Sequence, residues 1–193
     1  MLITALTEKI ECLACKKRLF YLLTALYYKN IIEREVRLAQ IGPGDKILCI
    51  GGGPCPFSAI ILHQLTGAPV TVVDHNAFCA RQAAAFIKGL GLEDSIRVLC
   101  CEGEAVNCRG FTVIHLALQV SAKEKVVKNL LDRAEHGAKI LVRMPKAFLS
   151  RFYPGREFSA PAWDSHVEHN PLTNVGSTVL YVKEGLYRVA QAL

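Results

Sequence analysis

No aspartate, glutamate, lysine or arginine occurs between Ile47 and Val73. A stretch so free of charge could pass for a membrane span, but Gly51 to Gly53, Pro54, Pro56 and Pro69 break it into strand, loop, helix and strand. No membrane association is expected. No secretory leader is expected either: the apolar LFYLLTALYY follows a basic run, yet no small-residue cleavage site comes after it. The expected location is the cytoplasm. The chain also lacks the dense basic stripe with interleaved aromatics that nucleic-acid binding favours. Its net charge of +6 is spread thinly, and Lys16-Lys17-Arg18, the one tight basic run, reads as a solvated helix face. No nucleic-acid partner is expected, while anionic substrates stay open.

What is present points to an α/β protein. The 193 residues, half of them apolar, can bury a continuous core without cross-links and leave apolar surface for a partner, a second copy of the chain among the candidates. Eight cysteines in a chain without a leader read as reduced thiols. Cys12-x-x-Cys15 has metal or redox spacing, but no second pair completes a four-ligand site, so no metal is expected. Apolar positions at helical spacing run from Glu8 to Gln40. KILCI, APVTVVD, SIRVLCC, FTVIHLAL and AKILVRM then follow as buried strands, alternating five times with helical segments in the manner of a mostly parallel sheet. SHVEHN and GSTVLYVKE close the chain as a hairpin joined by PLTN.

The loop GGGPCP follows the first strand, where a doubly wound sheet opens its ligand crevice. A dinucleotide fingerprint needs a third glycine where Pro56 stands, Pro54 and Pro56 remove backbone donors from any phosphate cradle, and no Walker lysine follows. Asp74 ends the second strand, at the place where an acid can accept both hydroxyls of a ribose. That suits a nicotinamide cofactor and S-adenosylmethionine equally. Glu104, after the third strand, can accept from an adenine amino group and tips the balance towards the ligand without a phosphate.

From KILCIGGGP to GSTVLYVKE the chain resembles a class I S-adenosylmethionine-dependent methyltransferase domain, which implies a Rossmann-like sandwich with strand order 3-2-1-4-5-7-6. Within that fold it is more similar to nicotianamine synthases. IGGGPCPFSAIIL resembles their Gly-x-Gly-Pro-x-Pro loop, YYKNIIERE the helix before it, VIHLALQVSAKEKVVKNLLDRAEHGAKILVR their fourth-strand block, and RFYP with HNPLTNVGSTVLYV their tail. The resemblance implies residues 1–44 as a helical extension and 45–193 as the S-adenosylmethionine-binding domain.

It also implies roles. Gly51, Gly52, Gly53 and Pro54 would line the methionine arm, Asp74 would take the ribose, and His75 and Asn76 the ribose or adenine rim. Gly103, Glu104 and Ala105 would meet the adenine, and His115, Leu116 and Ala117 the sulfonium. Transfer of an aminocarboxypropyl group to an amine or amino acid is the implied reaction, with methyl transfer and a non-catalytic sensor as alternatives. An amine nucleophile must lose a proton, and Tyr27, Tyr28, Glu35 and His115 are the candidates to assist. His166 and His169, with two residues between them, read rather as one exposed face of a strand.

Overall fold

The computed structural model describes residues 18–153 and 162–184. Helix α1 (Arg18–Ala39) precedes β1 (Ile47–Ile50), α2 (Phe57–Thr66), β2 (Val70–Asp74), α3 (Ala77–Gly89), β3 (Ile96–Cys100), β4 (Val113–Leu116), α4 (Lys123–Arg133) and β5 (Lys139–Pro145). A 3-10 turn (Ala147–Phe152), β6 (Ser165–Glu168) and β7 (Val175–Val182) complete the order.

One seven-stranded sheet runs β3-β2-β1-β4-β5-β7-β6, the order implied by the resemblance. The strands up to β5 are parallel, and β7 lies antiparallel between β5 and β6. The β6–β7 hairpin is therefore present as expected, with β6 stopping short of His169. The expected alternation fails at one place: Cys101 to Thr112 joins β3 to β4 as turns without a helix. Gly103, Asn107 and Gly110 punctuate that link, and Gly110 adopts a positive φ, so no helical run can build.

The period of two along each strand separates two cores. Ile47, Cys49, Val70, Val72, Val113, Leu141 and Leu180 face α1 and α2. Leu48, Ile50, Val73, Ile114, Leu116, Ile140 and Val142 face α4 through Val126, Val127 and Leu130. Every side chain at a strand's carboxyl end is thus assigned to one face or the other, which decides what reaches the crevice above the sheet.

Candidate active site

A cavity of about 200 Å³ opens at the carboxyl ends of β1, β2 and β4. Its floor is the glycine loop. Gly51 and Gly53 take positive φ, 86° and 64°, open to glycine and strained for other residues. Gly52 is needed for space: a Cβ there would lie 2.2 Å from Val72 Cγ1, in the core of β2. Gly52→Ala is accordingly expected to destabilise the fold by about 1–3 kcal/mol through overpacking. Gly42→Ala, with open space around it, should stay within about 0.5 kcal/mol. Denaturant midpoints of the two variants check this, and equal midpoints would refute it.

The loop's amides are spent inside the protein. Gly51 and Gly52 donate to the Val73 carbonyl at 2.8 and 3.2 Å, and Gly53 donates to Asp74 Oδ2 at 2.8 Å. With Pro54 and Pro56 carrying no N–H, this loop offers a poor cradle for a pyrophosphate, and the reason is stronger than the prolines alone gave.

Asp74 is buried, borders the cavity and also accepts from Asn76 N at 2.9 Å through Oδ1. Each carboxylate oxygen keeps capacity for a second donor. His75 is exposed, with Nδ1 3.7 Å from Asp74 Oδ1. Asn76 lines the cavity, but its side-chain oxygen caps α3 by accepting from Phe78 N and Cys79 N, which ties it to a structural duty. Gly103 and Glu104 form the opposite rim, Glu104 held through its carbonyl by Asn129.

Beneath the cavity on the α1 face lies a buried polar network. Arg143, from β5, donates from Nε to Glu35 Oε1 and from Nη2 to Glu35 Oε2, both at 2.8 Å, and from Nη1 to Ser58 Oγ at 2.9 Å. Thr178 Oγ1 of β7 donates to Glu35 Oε1 at 2.7 Å. That hydroxyl proton is therefore committed, so His169 Nε2, 2.8 Å away, is the donor to Thr178. The Tyr28 ring stacks on Phe57 and lies over Arg143, 5.6 Å from guanidinium carbon to centroid. Burial alone would raise the Glu35 pKa, but Arg143, then His115, hold it well below the usual carboxylate range. His115 sits on β4 with Nε2 3.3 Å from Glu35 Oε2, and that nitrogen makes no hydrogen bond among the described residues. Burial, with Arg143 adding, pushes its pKa below the ordinary histidine value, so the imidazole is neutral at pH 7.

Most of the residues expected from the sequence border this cavity: Tyr28, Gly51, Gly52, Gly53, Asp74, His75, Asn76, Gly103, Glu104, His115 and Ala117. Four expectations need correction. Leu116 points to the α4 core, because strand alternation turns it away from His115. Glu35 is fully buried under Arg143 and does not reach the cavity. Pro54 and Ala105 lie outside its lining, and Pro54 is buried. His166 and His169 share no face, since His166 is exposed on β6 while His169 lies past the strand's end, buried, its pKa pushed down to about 4 chiefly by burial. Tyr27 instead holds the Asn174 side chain, which also donates to Tyr153 Oη at 2.8 Å. Cys12 and Cys15 lie outside the described residues.

Arg143, Ser58, Asn174 and Thr178 were missed. An arginine inside the otherwise apolar ILVRM was the available signal, since a charge in a core strand needs a buried partner. Cys49, Cys55, Cys79 and Cys101 also border the cavity, and burial pushes the Cys49 thiol up to about 12.

Comparison with known proteins fits this geometry. The family described as Nicotianamine synthase protein matches residues 16–186. L-histidine 2-aminobutanoyltransferase of Yersinia pestis is 26% identical over 125 residues, covering 65% of this chain and 47% of that protein. The chain thus spans about half the length of that relative. Among solved structures, a mutant of MtNAS in complex with S-adenosylmethionine superposes with a TM-score of 0.81 at 21% identity, over 94% of this chain and 75% of the other. An RNA methyltransferase from Salinibacter ruber, in complex with S-adenosyl-L-homocysteine, reaches 0.63 at 16% identity, over 80% and 90%.

Proposed function

The chain belongs to the nicotianamine synthase family, and from that membership we propose that it takes S-adenosylmethionine into the cavity above β1, β2 and β4 and transfers its aminocarboxypropyl group to an amine or amino acid. The observation that carries the ligand is the pairing of an acid-rimmed cavity with a glycine loop whose amides are already used. Asp74 and Glu104 suit the donors of a nucleoside, and nothing in the loop asks for a phosphate. When bound, S-adenosylmethionine supplies a methylene carbon that takes the nitrogen lone pair as its bond to sulfur breaks, releasing methylthioadenosine.

The chain's own residues do the rest. Gly51, Gly52 and Gly53 admit the methionine arm, and Asp74, with His75 and Asn76 at the rim, holds the ribose. Glu104 and Gly103 meet the adenine. Arg143, cancelled by Glu35, and the neutral His115 keep the floor from opposing a sulfonium with net positive charge. His115 is the base that takes the acceptor's proton, and Glu35 stabilises the imidazolium so formed. Tyr28 orients Arg143 and walls the acceptor side. In this reading 45–193 binds S-adenosylmethionine and the helix within 1–44 closes the site.

The match to L-histidine 2-aminobutanoyltransferase supports an amino acid as acceptor. Nucleic acid and membrane are not partners in this reading. The free thiols at the described cysteines support a reducing, cytoplasmic setting. Incubating the protein with S-adenosylmethionine and a panel of amino acids, L-histidine included, tests the proposal by the nucleoside released. Methylthioadenosine is the expected product. S-adenosylhomocysteine would convert the reading to methyl transfer, and turnover with no member of a wide panel would leave a sensor.

A further inference from the structure

Lys123, the first residue of α4, is 2% exposed, and no carboxylate pairs with it among the described residues. Its ammonium donates to the Leu118 carbonyl at 3.0 Å and to the Arg143 carbonyl at 2.8 Å. These two acceptors stand at the ends of neighbouring strands: Leu118 lies just past β4, and Arg143 near the end of β5. Ala117 is still tied to β1 by its N–H on the Ile50 carbonyl at 3.0 Å. Beyond it the chain leaves the sheet, and the lysine bridges it back to β5.

Local rules argue against a lysine here. A cation in the first turn of a helix opposes the helix dipole. Ala122, the residue before it, sits in the left-handed region at φ 50° with no side-chain cap for the helix. Burial, reinforced by Arg143, pushes the lysine's pKa down to about 8. Unfavourable choices collected at one point beside a cavity indicate a demand set by function rather than by the helix.

The segment so held is the cavity's own wall. Leu118, Gln119, Val120, Ser121 and Ala122 all border it. Val120 Cγ2 lies 2.7 Å from where a Cβ on Gly51 would stand, so this wall packs closely against the glycine loop. Leu118 anchors the other side, packed with Ile31, Tyr153 and Val175. The same clamp grips the backbone of Arg143, whose guanidinium holds Glu35.

We infer that Lys123 is a positioning residue, whose ammonium clamps the ends of β4 and β5 and so fixes residues 118–122 and the Arg143 backbone in ligand-ready form. The inference rests on the reading that this cavity takes S-adenosylmethionine. Lys123→Met keeps the length of the side chain and removes its donors, leaving two buried carbonyls without their partner. Three readouts are compared with the unsubstituted protein: S-adenosylmethionine affinity by calorimetry, amide hydrogen exchange of residues 117–122 without ligand, and exchange of the β1 and β4 core. The expected result is affinity weaker by about ten-fold or more, exchange of the wall faster by a similar factor, and core exchange little changed. Unaltered affinity and wall exchange, whatever the global stability does, would overturn the inference. If Lys123→Met does not fold, Lys123→Gln, which keeps a neutral donor on a shorter arm, is read the same way. Absence of binding by the unsubstituted protein would refute the ligand reading instead, while wall exchange in the ligand-free protein still decides the clamp.

Discussion

Arg143→Met is expected to destabilise the protein by about 3–5 kcal/mol, the range for removing one partner of a buried ion pair. For a chain of this size that lowers the thermal midpoint by roughly 6–20 °C. The magnitude follows from what remains behind. Glu35 is 0% exposed, and both of its oxygens are bonded by Arg143. Thr178 still donates to it, but one neutral hydroxyl does not offset a stranded carboxylate. Replacing both members, Glu35→Met with Arg143→Met, removes the stranded charge and should recover part of the loss. A double variant at least as unstable as the single one would show that packing, rather than charge, dominates there. The pair also has a pH signature. Because Glu35 is held below the ordinary carboxyl value of 4.5, its contribution is complete above that pH and fades as the pH falls towards the folded value. In Arg143→Met the partner is gone and burial raises the carboxyl, so stability should instead fall as the pH rises above 4.5. Denaturant midpoints between pH 2 and 8 read both trends.

His115→Gln is expected to lower the turnover number for aminocarboxypropyl transfer about 10²–10⁴-fold, the usual contribution of a placed general base. S-adenosylmethionine affinity should change less than about three-fold, since glutamine fills similar space and no ligand contact of the nucleoside half is touched. The two acceptor groups of the buried network are unequal. Glu35 is a weak base, tied by Arg143, whereas His115 carries a nitrogen with no partner and is neutral at pH 7. A proton arriving on His115 faces the Glu35 carboxylate 3.3 Å away, which offsets part of what burial and Arg143 cost the imidazolium. With the folded pKa depressed, the acidic limb of the turnover profile should lie below pH 6.5, and it should vanish in His115→Gln. A loss of less than three-fold with the limb intact would transfer the role of base to another group.

How far the sequence foretold this depends on the range of the interaction that fixes each feature. The strands were legible because burial on two faces demands continuous apolar runs, and ILCI or VTVVD could be little else. Gly51 and Asp74 were legible because their positions follow from the β1 and β2 ends alone. Arg143 and Glu35 were not, because their pairing joins residues 108 apart in sequence, and each alone looks like an ordinary charge on its element. Glu35 was recognised as important through its helix, yet its partner, and with it its inability to reach the cavity, came only from three dimensions. Lys123 was hidden in KEKVVKNLLDR, a pattern that reads as a helix with a charged outer face, because helical period says nothing about how a first turn docks. Leu116 was misplaced by treating adjacent residues at a strand end as neighbours in space, although successive side chains face opposite ways.

The position of β7 between β5 and β6 has a bearing on how the molecule is assembled. Strands β1 to β5 can pair as they emerge, each beside one already present. Glu35 and Arg143 are both available by then, but Thr178 arrives only with β7, the last described strand. Until β7 slides in antiparallel beside β5, Oε1 of the buried carboxylate has Arg143 but not its second donor, and β6 has no strand to pair with. Closure of the hairpin is thus the step at which the site's foundation and the sheet's edge are completed together, and such non-local pairing is slow. A chain stalled before that step would hold its nucleoside crevice nearly formed over a floor still short of one hydroxyl, so the crevice and its foundation are completed at different stages.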